Sequence, residues 1–247
     1  MHGIGNGVFH ISVAPASAMN VYLIEGPDGE YTLVDAAVPG LLSTLRRAMA
    51  RRGVPLERIA RVLITHAHPD HIGGLPELLA VVPVPVWIHE ADAPFARGEQ
   101  AQQLASPETL SALNRQIARA AANSRQLAVP IARTFAGGEV LDDVYPGLTA
   151  VHLPGHSPGQ SGFWLPEQRL LLGGDVVMHL LPWRLTRPIA PFTPDMATAE
   201  RSIAAVATMG VRTLGVGHGP PLVGDAARYL DALVRRIGAP SPAATAA

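Results

Sequence analysis

The chain has 247 residues, a formal net charge of −1 and 48% hydrophobic residues, enough for one large or two small domains to form a core. It contains no Cys, and all 19 of its basic residues are Arg, which excludes disulfides, thiolate ligands, Schiff-base chemistry and a P-loop lysine. The balanced charge, without a dominant Arg cluster, argues against a nucleic-acid surface and favours a small-molecule substrate.

The first part of the chain alternates short strands with one amphipathic helix. Apolar, β-branched runs predict strands at residues 8–13, 20–25 and 31–35. The Gly-Pro-Asp-Gly turn at residues 26–29 predicts that the last two form an antiparallel hairpin. A helix is expected over residues 39–52, which begin with Pro and are followed by Gly53. The apolar run at residues 59–64 is typical of a buried strand.

A dense group of metal-ligating side chains follows this buried strand directly, in the sequence His-Ala-His-Pro-Asp-His. On an extended backbone His66 and His68 point the same way, so both can face one ion. Pro69 redirects the chain into a helix, which turns Asp70 and His71 toward a second ion beside the first. Imidazole and carboxylate are ligands that divalent zinc, iron or manganese accept, whereas an accidental His-rich loop would not be expected directly after a core strand.

Residues 75–81 are predicted to form a short helix and residues 84–89 a strand. Residues 98–129 are polar and rich in Ala and Gln, and we interpret them as a helical insertion between core strands. Its helix is predicted to begin at Ser106, which is followed by Pro and Glu. Its apolar residues recur at helical spacing: Leu110, Leu113 and Ile117. The insertion is either an ordinary packing helix or a lid over the site.

The second half of the chain returns to short strands and ends in a helix. Strands are expected at residues 139–141, 148–153, 161–165, 170–172 and 213–216, and helices at residues 195–209 and 225–237. Because no linker divides the chain, residues 1–237 are predicted to form a single domain of two packed sheets, with residues 238–247 as a flexible tail. No charged segment followed by an apolar one opens the chain and no apolar run could span a membrane, so we expect no membrane contact and a cytoplasmic location.

Three further candidate ligands follow later strands. His156, Asp175 and His218 each come directly after a predicted strand and are flanked by Gly. Strands that end at one sheet edge hold such loop residues in place, so the side chains can converge. The complete candidate set is His66, His68, Asp70, His71, His156, Asp175 and His218.

This pattern, His-x-His-x-Asp-His followed by His, Asp and His at strand ends, resembles the metallo-β-lactamase superfamily from about residue 21 to residue 220. The resemblance implies an α/β (α+β) fold, the αββα sandwich of two mixed β-sheets flanked by helices. It also implies two divalent metal ions, with Zn²⁺ favoured and Mn or Fe as alternatives, and Asp35 behind the site as an orienting residue. By the resemblance, the first metal is held by His66, His68 and His156, the second by Asp70, His71 and His218, and both by Asp175.

The resemblance further implies a hydrolase in which a metal-bridging hydroxide attacks a small ester-type substrate. Asp175 stands where true β-lactamases of the superfamily commonly use Cys, so a lactone, thioester or phosphoester is favoured over a β-lactam. The substrate-binding pattern of glyoxalase II is not evident, and Met178 stands where acyl-homoserine lactonases usually have Tyr. Asp70 is the candidate that passes a proton, so Asp70 and Asp175 are the catalytic candidates.

Other interpretations use the same residues. The ligands could hold iron in a redox member of the superfamily, or a metal in a binding module without catalysis. Residues 155–159 match the G-x-S-x-G nucleophile elbow of α/β-hydrolases, with Asp175 and His218 as the remaining triad members. Pro158 argues against the elbow, because the residue after the nucleophile must donate an N–H and proline has none.

The segment after Asp175 is expected to run near the mouth of the site. Its candidate substrate-binding residues are Met178, His179, Trp183, Arg184, Arg187 and Phe192. Aromatic side chains suit an apolar acyl or ring group and Arg suits a carboxylate or phosphate, while ordinary packing of a Pro-rich loop is the alternative. The oligomeric state is open, with a homodimer as one option.

Overall fold

The computed structural model of the protein describes residues 1–122 and 127–239. The strands of the described residues are β1 His2–Gly5, β2 Val8–Ser12, β3 Asn20–Glu25, β4 Tyr31–Val34, β5 Ile59–Ile64, β6 Val86–His89, β7 Arg133–Phe135, β8 Thr149–His152, β9 Ser161–Leu165, β10 Leu170–Leu172, β11 Met178–Leu181, β12 Arg184–Thr186 and β13 Thr213–Gly215. The helices are α1 Leu41–Ala50, α2 Pro69–Ile72, α3 Leu75–Leu79, α4 Ala93–Ala96, α5 Ala112–Ala122, α6 Met196–Thr208 and α7 Ala226–Ile237.

Two mixed sheets form the centre of the fold. The seven-stranded sheet has the order β1-β2-β3-β4-β5-β6-β7, antiparallel up to β4 and parallel from β4 onward. The four-stranded sheet has the order β13-β10-β9-β8, in which β10 and β13 are parallel and the other pairs are antiparallel. Strands β11 and β12 form a separate antiparallel hairpin.

Alternate residues of the central strands serve two different cores, which explains their continuous apolar sequences. In β3, Leu23 packs in the core beneath α1, whereas Tyr22 packs between the two sheets. In β10, Leu172 joins the core between the sheets and Leu171 joins the core under α6 and α7. Helix, sheet, sheet and helix therefore form successive layers, and the predicted αββα sandwich is confirmed.

The local predictions differ in quality along the chain. The hairpin of β3 and β4 is confirmed, with Gly29 at φ +69° in its turn. The predicted strand at residues 139–141 is wrong, because only a single bridge joins Val140 to Thr149. Strands β1, β7, β11 and β12 are additions that the sequence patterns did not predict.

The insertion over residues 98–129 contains less helix than expected. The helix start at Ser106 is wrong: Pro107–Thr109 forms one 3₁₀ turn, Leu110 returns to extended backbone at φ −103° and ψ 146°, and α5 follows only at Ala112. Leu110 is buried, but Leu113 is 68% exposed. Residues 123–126 of the insertion and residues 240–247 of the expected tail lie outside the described residues. Every helix in the described part of the chain is too short or too polar to cross a membrane.

Candidate metal centre

The seven candidate ligands converge at one edge of the two sheets. Each follows the end of a strand or opens the short helix α2: β5 leads to His66 and His68, and α2 carries Asp70 and His71. The loops after β8, β10 and β13 supply the other three, His156, Asp175 and His218. Rigid strands thus fix the direction from which each loop approaches the centre.

His66, His68 and His156 form the first ligand group, and their donor atoms lie within 4.8 Å of one another. The Nε2 atom of His66 lies 3.0 Å from Nδ1 of His68. The ring centroids of His68 and His156 are 4.5 Å apart, with the rings nearly perpendicular. All three side chains are buried, which lowers the pKa of His66 well below its usual range, that of His68 to about 4 and that of His156 to about 3. These imidazoles are therefore neutral at pH 7, the form that ligates a metal.

Asp70, His71 and His218 form the second ligand group. The Nε2 atom of His218 lies 3.2 Å from Oδ2 of Asp70. Burial acts to lower the pKa of His218, but Asp175 and Asp70 outweigh it and raise that pKa to about 10. Burial also acts to lower the pKa of His71, but the carboxylates of Asp35 and Asp175 outweigh burial and raise that pKa well above its usual range. In the metal-free protein, protons thus balance the carboxylates of this group, and metal binding would release them.

Asp175 lies between the two groups and contacts members of both. Its Oδ1 is 3.5 Å from Nε2 of His71, and its Oδ2 is 3.5 Å from Nε2 of His156 and 3.2 Å from Nε2 of His218. Burial acts to raise its pKa, but the charges of His71 and His218 outweigh burial and hold that pKa well below its usual range. Asp175 is thus a buried carboxylate that faces both ligand groups, with Oδ2 toward His156 and His218 and Oδ1 toward His71.

Hydrogen bonds behind the imidazoles fix which nitrogen points inward. His71 Nδ1 donates to Oδ2 of Asp35 at 2.8 Å. Asp35 has φ +63° and also accepts from the backbone N–H of Thr65 at 2.8 Å, which ties it to the end of β5. In this way Asp35 orients His71 with Nε2 toward Asp175, from a position behind the ligand groups.

The other two loop imidazoles are oriented in the same manner. His156 Nδ1 lies 3.0 Å from the hydroxyl of Thr193, which donates its own proton to the carbonyl of Ile189 at 2.9 Å. His218 Nδ1 donates to the carbonyl of Ala18 at 2.6 Å. Because each Nδ1 is occupied by its hydrogen bond, Nε2 is the nitrogen of each ring that faces the centre and that would ligate a metal after loss of any proton it carries.

The donor set fits divalent metal ions. Three buried atoms that face the centre, Nε2 of His71, Nε2 of His156 and Oδ1 of Asp175, have no hydrogen-bond partner among the described residues. Buried polar atoms are normally paired, and inward imidazole nitrogens beside carboxylate oxygens are the ligands that zinc, manganese and iron accept. Metal ions would therefore satisfy atoms that the chain leaves without a partner.

Asp92 is a structural residue of this centre that sequence analysis missed. It is fully buried, and its Oδ2 accepts from the Ala67 N–H at 2.8 Å and from the Ser157 hydroxyl at 2.7 Å. Its Oδ1 accepts from the Gly159 N–H at 2.6 Å. Asp92 thus joins the loop of His66 and His68 to the loop of His156. The sequence signal was an Asp before a short Pro-containing helix, a pattern typical of an N-cap, but this side chain caps nothing and reaches across to the ligand loops.

The same geometry rules out the nucleophile elbow. The hydroxyl of Ser157 is buried and donates to Asp92, so it is not activated by an imidazole. The strand β9 follows the loop instead of a helix. Ser157 is therefore a structural residue of the centre.

A backbone position beside Asp175 is too close for any side chain, which gives a testable prediction. A Cβ at Gly217 would collide with Oδ1 of Asp175 and lie 2.8 Å from the ring of His71. We expect Gly217→Ala to weaken metal binding roughly 10- to 100-fold, as displaced ligand-supporting groups commonly do. Metal content after dialysis against graded chelator would measure the loss. Gly3→Ala, where a Cβ meets nothing within 4 Å, is the control, and an unchanged metal affinity in Gly217→Ala would contradict the prediction.

A cavity of about 400 Å³ opens onto both ligand groups. His68, Asp70, His156, Asp175 and His218 form its polar floor, while His66 and His71 are buried behind them. Such a volume is within the range of small-molecule sites, about 300–1,000 Å³.

Two of the six predicted substrate-binding residues line this cavity, and the other four do not. Met178 and Phe192 line it. His179 points away, with Nδ1 2.7 Å from the carbonyl of Pro220. Arg187 lies outside the wall, paired with Glu200 at 2.5 Å. Trp183 and Arg184 are exposed on the β11–β12 hairpin and do not line the wall.

The sequence profile of the metallo-beta-lactamase superfamily matches residues 15–218. The chain belongs to the metallo-beta-lactamase superfamily. A probable metallo-hydrolase, YflN of Bacillus subtilis strain 168, is 29% identical over 220 residues, which cover 83% of this chain and 82% of YflN. The bovine (Bos taurus) protein named acyl-coenzyme A thioesterase MBLAC2 is 27% identical, covering 87% of this chain and 79% of MBLAC2.

Solved structures of the superfamily share the fold. The metallo-beta-lactamase family protein TTHA1429 of Thermus thermophilus has a TM-score of 0.69 at 24% identity, covering 94% of this chain and 80% of that protein. TTHA1623, solved in a di-iron-bound form, has a TM-score of 0.65 at 25% identity, covering 90% of this chain and 98% of that protein. Superfamily membership, together with the His and Asp ligand groups, implies a metal-binding hydrolase.

Proposed function

We propose that the protein is a dinuclear metal-dependent hydrolase that cleaves an ester-type bond in a small molecule. The observation that carries the proposal is the position of Asp175, whose carboxylate lies 3.2 to 3.5 Å from imidazoles of both ligand groups. In this proposal two divalent ions, most simply zinc, are held by the ligand sets that the superfamily pattern assigns. The first set is His66, His68 and His156, the second is Asp70, His71 and His218, and Asp175 contributes to both.

When bound, such ions supply a water of lowered pKa and positive charge that stabilises oxygen anions in the reaction. The chain contributes a fixed frame, because Asp35, Thr193 and the Ala18 carbonyl hold three imidazoles in one orientation. The side chain of Asp70 is 36% exposed and lines the cavity. Its carboxylate is therefore the candidate to accept a proton from the attacking water and pass it to the leaving group.

Two observations favour a carboxylic ester, thioester or lactone over the other candidates. No Arg lines the cavity among the described residues, so a phosphate would lack the guanidinium partner that commonly recognises it. The relative MBLAC2 carries the name of a thioesterase, which supports the thioester bond. A β-lactam remains less favoured, because Asp175 stands where Cys is common in that group.

An iron-dependent redox reaction is the second candidate, and the similarity to TTHA1623 in its di-iron form favours it. Both candidates use the same ligands. The metal that co-purifies after expression in defined medium, together with oxygen or reductant consumption, distinguishes them.

Metal removal tests the proposed function. We expect chelator-treated protein to hydrolyse nothing and to regain activity after addition of zinc, manganese or iron, since no Ser, Thr or Tyr hydroxyl of the described residues lines the cavity. A panel of lactones, thioesters, aryl esters, phosphodiesters and β-lactams would identify the bond that is cleaved. A serine-directed fluorophosphonate is expected to have no effect. Full activity in protein shown by elemental analysis to be metal-free would refute the proposal.

A further inference from the structure

The cavity wall beyond the ligands is apolar and uncharged. Its chief side chains are Val38, Leu127, Met178, Ile189 and Phe192. Apart from the candidate ligands, no charged side chain of the described residues lines it. A charged group on the substrate next to the reacting bond would therefore be buried there without a partner, which costs free energy.

Gln102 is the one polar side chain on this wall among the described residues besides the candidate ligands, and one N–H of its amide is engaged. Gln102 donates from Nε2 to the carbonyl of Ala67 at 2.9 Å, which joins the insertion to the ligand loop. The wall thus offers a substrate few polar partners, and contact with it is mainly apolar.

Helix α5 extends the apolar wall beyond the cavity. Ala121 lines the cavity, and Ile117 and Leu113 precede it at intervals of four residues, so the three share one helix face. Leu113 is 68% exposed and Ile117 is 39% exposed. At 1.5 Å per residue, this face runs roughly 12 Å outward from Ala121.

A neighbouring side of α5 is anchored in the protein, so the exposure of this face is not a sign of a detached helix. Ala118 of α5 is buried in a small cluster with Ala105 and Leu110, against which Ala190 packs. Ile189, the neighbour of Ala190, lies in the cavity wall and is 41% exposed. The anchored helix and the cavity wall therefore form adjoining apolar surface, which is uncommon unless it binds something.

We propose that the substrate carries a neutral, medium- to long-chain acyl group that fills the cavity and continues along the Leu113 and Ile117 face of α5. This inference rests on the proposed hydrolase function and names its substrate class, an acyl thioester. In the reaction the oxygen of water joins the acyl carbon and the C–S bond breaks. One proton passes to the departing sulfur, and the acid releases the other to solvent.

A series of acyl thioesters of N-acetylcysteamine, from acetyl to decanoyl, tests the inference on the metal-loaded protein. We expect kcat/KM to rise roughly fourfold for each methylene added from butanoyl onward, the factor for removing one CH₂ from water. The adipoyl thioester, which has the length of hexanoyl with a terminal carboxylate, is expected to react at least about 100-fold more slowly. Decanamide, an uncleavable analogue, should bind in calorimetric titration.

Two variants test whether the Leu113 and Ile117 face of α5 contributes to binding of the acyl chain. Leu113→Glu is expected to lower the ratio of decanoyl to acetyl kcat/KM about tenfold and to weaken decanamide binding. Val140→Glu is the matched control, because Val140 is 52% exposed and lines no part of the cavity, and this variant should behave as the wild type.

The outcomes distinguish this inference from the proposed function. Equal kcat/KM values for all acyl chain lengths would overturn the inference without contradicting the proposed hydrolase function. No hydrolysis of any thioester, ester or lactone by metal-loaded protein would overturn the proposed function, while decanamide binding would still report on the apolar surface. If Leu113→Glu converted a dimer to a monomer without changing the chain-length response, the face would be an interface between copies and the inference would be wrong.

Discussion

Asp175→Asn is expected to lower kcat/KM by at least about 1,000-fold and to reduce bound metal from two ions to one or none. Asp175 is the carboxylate that faces both ligand groups, with Oδ1 toward His71 and Oδ2 toward His156 and His218. An amide in its place removes a negative charge from a cluster of imidazoles and turns an NH₂ toward one of the groups. Metal ions contribute several kcal/mol of charge stabilisation to hydrolysis, and each 1.36 kcal/mol corresponds to a factor of about ten in rate.

Elemental analysis and kinetics on the same samples would measure this effect. Asp143→Asn is the control, because Asp143 is a half-exposed carboxylate paired with Arg133 far from the cavity wall. A variant at Asp175 that kept two metals per chain and full activity would show that the carboxylate is not shared between two ions.

The candidate ligands could be predicted from the sequence because their signals are local. Two imidazoles at a spacing of two after a buried strand must share a direction, and Gly beside His or Asp at a strand end marks a loop that approaches closely. Gly217 illustrates this, since a Cβ there would collide with Asp175. The continuous apolar strands likewise predicted a fold with both sheet faces covered.

Contacts between distant segments could not be predicted in the same way. Thr193 and His156 are 37 residues apart, and nothing in either local sequence indicates their hydrogen bond. Strand β7 has three residues with mixed burial, which is too short for periodicity to identify. The spacing of Leu113 and Ile117 correctly predicts a helix, but it does not show what their face contacts, and in the structure this face of α5 is exposed.

Two buried carboxylates divide the support of the centre between them. Asp35 accepts directly from His71 of the second ligand group, and it reaches His66 of the first group only through the Thr65 hydroxyl. Asp92 holds the N–H of Ala67, the hydroxyl of Ser157 and the N–H of Gly159, and so acts on the loops of the first group. The direct contact of Asp35 thus falls on an imidazole of the second group and the contacts of Asp92 on the loops of the first, so substitutions at the two carboxylates should affect the two groups unequally.

Asp92→Asn is expected to weaken metal binding at the first ligand group roughly 10- to 100-fold and to lower the free energy of unfolding by about 1–3 kcal/mol. The substitution is not conservative here, because each oxygen of Asp92 accepts from a different backbone N–H. Whichever way the Asn side chain turns, its NH₂ meets one of these donors and leaves a buried N–H without an acceptor.

Cobalt titration followed by absorption spectroscopy, with denaturant unfolding of the metal-free protein, would measure both effects. Ser157→Ala is the matched control, since it removes the hydroxyl bond and leaves both backbone bonds of Asp92 in place, so its effect should be smaller. Asp35→Asn should instead weaken mainly the second group, because its single oxygen cannot accept from both His71 and the Thr65 N–H. If Asp92→Asn and Asp35→Asn lowered the affinity of the same ion equally, each carboxylate would support the whole centre, and the division between the two groups would be wrong.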